Sequence, residues 1–248
     1  MSDLFTDLRD APPPLQVPER ALAIGAHADD AEFGAGGTLA AWAEAGCEVT
    51  ILIVTDGAKG SWDPETDRAA LVARRREEAA TAASRLGAAG VEFLDYVDGE
   101  TFATPELRRD LCSGIRRFRP GVVLTHDPWQ RYQVHPDHRA VGIGVVDAVV
   151  AAREPLFYPD LGPGPHRPDA LLLWSADAPD HREDIAATLE TKIAALLCHS
   201  SQATTTMGGA ERDEARRDAF AGRVRDWAAA AGRPAGLTAA EAFKRITP

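Results

Sequence analysis

Four short apolar runs most constrain what this 248-residue chain can fold into: ALAIGA at 21–26, EVTILIVT at 48–55, VEFL at 91–94 and GVVLT at 121–125. The first shows no apolar/polar alternation, as expected of a parallel strand covered by helices on both faces, and the second is dense in β-branched residues. Between them lie stretches of helical composition at 38–45, 68–86 and 105–118, closed by Gly46, Gly87 and Pro120. Regular alternation of strand and helix predicts a three-layer α/β fold, a doubly wound and mostly parallel sheet. In such sheets ligands bind beyond the carboxyl ends of the strands. The runs end there in His27, in Asp56-Gly57, in Asp98-Gly99 and in His126.

Length sets the domain organisation, because 248 residues can bury one large core without splitting. Residues 20–248 are read as a single domain, preceded by an extended arm over 1–19 that contains the triple proline 12–14. A net charge of −11 argues against nucleic acid or an anionic membrane surface as a partner. No run approaches membrane-spanning length, and the N-terminal stretch has neither the basic nor the apolar region of a signal peptide. Cys47, Cys112 and Cys198 are distant from one another and form no CxxC spacing, so neither a disulfide framework nor a thiolate metal site is expected. A cytoplasmic location fits.

The first strand runs into His27, Asp29 and Asp30. Two consecutive aspartates in a turn cannot aim at one point, so one can hold a metal while the other stays free to take a proton. A bland alternative, one aspartate capping the next helix, does not account for the histidine. The fourth strand ends in THDPWQRYQVHPDH, which holds His126, His135 and His138, three of the seven histidines. Pro136 suits the first position of a helix, which places His138 in its first turn, facing the sheet edge. If the first and fourth strands are neighbours, His27, Asp30 and His138 meet as the constellation expected of a metal site. His126 reads as a satisfied loop residue, and His135 alone could cap its helix.

The pairing of AHADDAEFGAGGT with HPDH resembles the PIG-L/LmbE-like family of N-acetylglucosaminyl deacetylases, whose usual signatures are AHPDD and HPDH. Arg75 and Glu78 with Ala82, Leu86 and Gly87 resemble the family's RxxE helix, Asp98-Gly99 its PDG turn, and Lys192 with His199–Gln202 its late KxxAL…HxSQ segment. The likeness covers about residues 20–203 and implies an LmbE-like, Rossmann-like fold. It implies that His27, Asp30 and His138 bind Zn2+, or another divalent metal such as Fe2+, and that Asp29 is the general base. It further implies that His135, protonated and oriented by Asp137, steadies the oxyanion, and that Arg75 and Asp98 contact the sugar. Ala28 departs from the family proline, which is no ligand. The expected activity is removal of an acetyl group from the amide nitrogen of an N-acetylglucosamine-type sugar or conjugate.

Two rivals use the same residues differently. A histidine, aspartate, histidine triad also serves non-haem iron oxygenases, although those usually sit in jelly rolls. A nucleotide-binding module would use Gly34, Gly36 and Gly37, with Asp56 on a ribose; His27 and two carboxylates in that turn would repel a pyrophosphate. Trp62, Trp129 and Tyr132 lie on loops at the same edge, where a pyranose could stack. Residues 171–174 are expected to be a further strand, 181–197 a helix leading to His199, and 208–245 a helical tail packing on its own chain or on a second copy in a homo-oligomer.

Overall fold

The computed structural model describes residues 15–210 and 213–248, so most of the expected N-terminal arm lies outside the described residues. The apolar runs form β1 (Arg20–Gly25), β2 (Glu48–Thr55), β3 (Gly90–Tyr96) and β4 (Val122–His126), followed later by β5 (Ala170–Trp174). They pair in parallel in the order β3-β2-β1-β4-β5. Successive side chains of a strand point to opposite faces. Ala21 and Ala23 therefore enter one core and Leu22 and Ile24 the other. The first core is covered by α1 (Asp30–Glu44) and α2 (Arg68–Arg85), the second by α3 (Pro105–Phe118) and α4 (Pro136–Arg153). This is the three-layer, doubly wound arrangement expected from the alternation. β1 pairs with β2 on one side and β4 on the other, so the strand order reverses there, and a crevice opens at the carboxyl ends.

Three expectations need correction. The helix read as 38–45 begins at Asp30 and includes Gly34, Gly36 and Gly37. Those glycines let α1 lie close to its neighbours: a Cβ at Gly34 would sit 2.4 Å from Trp174, and one at Gly37 would sit 2.7 Å from Ile185. The segment 181–197 is a short strand, β6 (His181–Asp184), followed by α5 (Leu189–Leu196). The tail, read as wholly helical, contains α7 (Glu214–Gly232) and then β7 (Ala240–Ile246), which runs antiparallel between β5 and β6; a short α6 (Ala203–Thr206) precedes α7. β7 is held inward by a buried carboxylate. Glu241 accepts hydrogen bonds from Gly37 N at 3.0 Å, Thr38 N at 2.8 Å and Thr38 Oγ1 at 2.6 Å, and pairs with the buried Lys192.

Arg116 fixes the far end of α4 from α3. The side chain is fully buried and donates to the carbonyls of Ala151, Ala152, Glu154, Phe157 and Tyr158 at 2.8–3.2 Å. A guanidinium carries enough fixed donors for this; an ammonium does not. No described helix is long and apolar enough to cross a membrane.

Candidate active site

β1 delivers His27 to the crevice, the first turn of α1 delivers Asp30, and the first turn of α4 delivers His138. His27 Nδ1 lies 3.2 Å from His138 Nε2 and 3.5 Å from Asp30 Oδ2, while Asp30 Oδ1 lies 3.3 Å from His138 Nε2. These three lone-pair-bearing groups converge so closely that a proton or a cation must lie among them. Two imidazole nitrogens and one carboxylate form the donor set of catalytic zinc sites, so the residues fit such an ion. Among the described residues, three overlapping clusters have ligand atoms within 4.8 Å of one another: His27/His135/His138, His27/Asp98/His135/Asp137 and Asp30/His126/His138.

The surroundings fix the tautomers. His27 Nε2 is 3.1 Å from Asp137 Oδ2 and 3.3 Å from Asp98 Oδ1. Ionised carboxylates only accept, so a neutral His27 carries its proton on Nε2 and turns its Nδ1 lone pair toward His138 and Asp30. Asp137 is fully buried and also accepts from Gly99 N at 2.7 Å and Thr101 N at 3.2 Å. Burial pushes the Asp137 carboxyl up, but the His27 imidazole and the Gly99 amide outweigh it and hold the group below the usual carboxylate range. Burial likewise lowers His27, yet Asp137, Asp30 and Asp98 together raise it well above the ordinary imidazole value.

His126, read from sequence as a satisfied loop residue, ends β4 and is buried inside the cluster. Trp174 Nε1 donates to its Nδ1 at 3.0 Å, so a neutral His126 has its proton on Nε2, 3.1 Å from Asp30 Oδ2. Asp30 Oδ2 also accepts from His27 N at 2.7 Å, which leaves Oδ1 facing His138. Against the upward push of burial, His126 and His138 hold the Asp30 carboxyl well below its usual range.

Asp29 behaves differently from its neighbour. The residue occupies the N-cap position of α1 in a left-handed conformation (φ 97°), and its side chain makes no capping bond. The carboxylate is buried, and Thr206 Oγ1 at 3.5 Å is a weak contact. Burial, followed by the charge of Asp30, raises the pKa of Asp29 to about 7. The two aspartates thus divide into one that is heavily engaged and one that is almost free.

His135 caps α4, its Nδ1 accepting from Asp137 N at 3.3 Å, and its ring stacks on His138 at 4.7 Å. The expected contact with Asp137 therefore runs through the backbone N–H, while the Asp137 carboxylate orients His27. Burial, then His27 and His138, lower the His135 pKa below the ordinary imidazole value, and with Nδ1 accepting from Asp137 N the proton of a neutral ring sits on Nε2.

The two expected sugar contacts have other partners too. Arg75 donates to Gly57 O at 2.7 Å and Gly60 O at 2.9 Å, and its buried Nε has no hydrogen-bond partner. Asp98 accepts from Lys59 N at 2.9 Å through Oδ2 and faces His27 through Oδ1. Both still line the cavity, of about 730 Å3, that opens over the cluster. Trp62 lines it as well; Trp129 and Tyr132 do not. Sequence reasoning missed Gln130, Gln133, Thr206 and Trp227, which line it too. His199 is fully buried with Nε2 3.2 Å from Glu32 Oε1, outside hydrogen-bond geometry, and does not reach the cavity. Gly36 on α1, the remaining glycine of the nucleotide reading, would place a Cβ 3.2 Å from the Lys192 side chain of α5, so the triplet serves packing.

A family profile described as PIG-L, GlcNAc-PI de-N-acetylase, matches residues 22–149. Diacetylchitobiose deacetylase of Thermococcus kodakarensis is 37% identical over 192 residues, 76% of this chain and 72% of that protein. The 1D-myo-inositol 2-acetamido-2-deoxy-alpha-D-glucopyranoside deacetylase of Kineococcus radiotolerans is 33% identical over 56% of this chain and 46% of its own length. The structure of N,N'-diacetylchitobiose deacetylase from Pyrococcus horikoshii superposes with a TM-score of 0.86 at 29% identity, covering 97% of this chain and 88% of that one.

Proposed function

The chain belongs to the PIG-L family, and on that premise we propose that it is a metal-dependent N-deacetylase of N-acetylglucosamine-type sugars or their conjugates. The observation that carries the reading is the convergence of His27 Nδ1, His138 Nε2 and Asp30 on one point, beside the nearly unpartnered, buried Asp29. His27, Asp30 and His138 would hold the ion. A zinc-type cation there supplies Lewis-acid polarisation of the acetamide and makes water a nucleophile near neutral pH.

The chain's own residues do the rest. Asp29 takes one proton of the attacking water and returns it to the departing amine, so that hydroxide adds to the acyl carbon, the C–N bond breaks, and a free amine and acetic acid leave, the acid losing its own proton to solvent as acetate. His135 presents Nε2–H to the oxygen that gains charge, because its Nδ1 is tied to the backbone of Asp137. Asp137 and Asp98 hold the His27 ring in the tautomer that leaves Nδ1 free. Arg75 keeps the loop at Gly57 and Gly60 against the cavity and presents its remaining donors to sugar hydroxyls. A cytoplasmic location and small amino-sugar substrates complete the reading.

The test is amine release by metal-reconstituted protein from a panel of N-acetyl sugars, their conjugates and acetyl-lysine peptides. Release from the sugars is expected. Equal or faster hydrolysis of the peptides would overturn the assignment.

A further inference from the structure

Asp29 holds a conformation that its own bonds do not explain. At φ 97° it sits in the left-handed region, which strains a residue with a side chain and persists only where the surroundings fix it. The Asp29 side chain makes no capping bond that could do so. The angle φ of Asp29 is measured from the planar Ala28–Asp29 peptide, so whatever holds the Ala28 carbonyl holds the plane from which the chain turns. Ala28 is buried, and its carbonyl accepts from the side-chain amide of buried Gln202, 174 residues away in the chain. A carbonyl only accepts, which puts the NH2 of Gln202 on Ala28 and not the amide oxygen.

The segment that carries Gln202 is braced from α2 rather than from α1. Gln202 ends a short 3-10 turn, Ser200–Gln202. Glu78 of α2 accepts from Ser200 Oγ at 2.8 Å, from Ser201 N at 2.9 Å and from Ser201 Oγ. The main chain of Gln202 is engaged as well, its carbonyl accepting from the hydroxyls of Thr205 at 3.0 Å and Thr206 at 2.9 Å. The Thr206 hydroxyl has a single proton, and the 2.9 Å bond to Gln202 O claims it ahead of Asp29 Oδ2 at 3.5 Å. Asp29 is therefore steadied through the peptide before it while its carboxylate is left without a firm donor, as a proton acceptor requires.

We propose that Gln202 is a positioning residue for the general base: its amide, braced by Glu78 through Ser200 and Ser201, fixes the Ala28 carbonyl and with it the left-handed turn that presents the Asp29 carboxylate to the cavity. The proposal rests on the reading of Asp29 as the base of a deacetylase and adds a residue that acts through it. A group that only aims the base changes kcat and leaves KM and the metal nearly as they are. Gln202 also lines the cavity, and a direct bond from it to the sugar would show in KM instead.

The experiment compares metal-loaded wild type, Gln202→Leu, Gln202→Glu, Asp29→Asn and the Gln202→Leu/Asp29→Asn double variant on N-acetylglucosamine. Leucine removes the donor at similar volume, and glutamate keeps the shape but turns an acceptor toward Ala28 O. Each Gln202 variant is expected to lose about 10- to 100-fold in kcat, the scale of a misplaced catalytic group, with KM within about twofold and metal content unchanged by elemental analysis. The double variant is expected to be as slow as Asp29→Asn within about threefold, because Gln202 then has no base to aim. Losses that multiply in the double variant, an effect confined to KM, or loss of the metal overturns the proposal and leaves the deacetylase reading standing. Wild-type turnover in Asp29→Asn overturns the base and the proposal together. If the wild type does not hydrolyse the sugar, the deacetylase reading fails, and the crystal structures of the two Gln202 variants decide the turn without activity. Asp29 leaving the left-handed region supports the proposal, and an unchanged turn refutes it.

Discussion

Asp137→Asn tests how the candidate metal centre is organised, because the exchange keeps size and removes one acceptor. In the native site Oδ2 accepts from His27 Nε2 at 3.1 Å and Gly99 N at 2.7 Å, and Oδ1 accepts from Thr101 N at 3.2 Å. An amide has one oxygen and one NH2. With the oxygen kept beside His27 and Gly99, the NH2 meets the Thr101 N–H; flipped, it meets both the Gly99 N–H and the His27 proton. Either way a donor faces a donor in a fully buried place, a cost of about 1–3 kcal/mol in stability. The flipped form also favours His27 with its proton on Nδ1, the atom that faces His138 and Asp30. Loss of such a partner to a metal-bound histidine typically lowers affinity about 10- to 100-fold, or about 1.4–2.7 kcal/mol. Competition of the purified variant against a zinc chelator measures the affinity directly, and urea unfolding of the metal-free protein measures the separate stability term. Wild-type metal affinity in a folded Asp137→Asn protein would refute the claim that this carboxylate sets the His27 tautomer.

Other substitutions should separate the remaining roles. His27→Ala, Asp30→Ala and His138→Ala should each empty a site that otherwise holds about one zinc per chain by elemental analysis, and full retention in all three would sink the ligand set. Asp29→Asn should keep the metal and lose roughly 10²-fold or more in turnover, since its carboxylate has almost no structural bond to lose; near wild-type turnover would place the base elsewhere. Arg75→Ala should lower kcat/KM on the sugar at unchanged metal content, as read by steady-state kinetics beside elemental analysis. Arg116→Met should destabilise the fold by about 3–5 kcal/mol in urea titrations, because five carbonyls lose their donors together, and Arg116→Lys should recover only part of that.

The parallel half of the sheet was legible because its rules are local. Each apolar run names its own strand, and each carboxyl end delivers its polar residues to one edge whatever the details of packing. His27, Asp30 and His138 could therefore be brought together on paper once β1 and β4 were taken as neighbours. What failed depended on partners far along the chain. Three glycines lower helix propensity by about 1 kcal/mol each, so α1 looked too short; contact with Trp174, Lys192 and Ile185 reverses that preference. The sequence AEAFKRI is rich in helix formers, and only pairing of its Phe243 with Trp174, and of Glu241 with α1, makes it β7. The burial of His126 required the same knowledge, since Trp174 on β5 holds its ring.

Every residue placed at the proposed metal and its proton transfers, from His27 to His138, lies inside the matched stretch 22–149. Trp174, Ser175, Thr205, Thr206 and Trp227 line the same cavity from beyond it. Trp174 and Ser175 come from the end of parallel β5, whereas Thr205, Thr206 and Trp227 come from the part of the chain before antiparallel β7, where α7 is placed by a strand that follows it rather than by a βαβ crossover. α7 contributes none of the residues that would hold the metal or move the proton, so substitutions on its cavity face change the wall and not those groups. Related proteins can therefore keep one reaction and differ in what is attached to the amino sugar, and the place to look for that difference is the face that α7 turns toward Phe33 and Gly34.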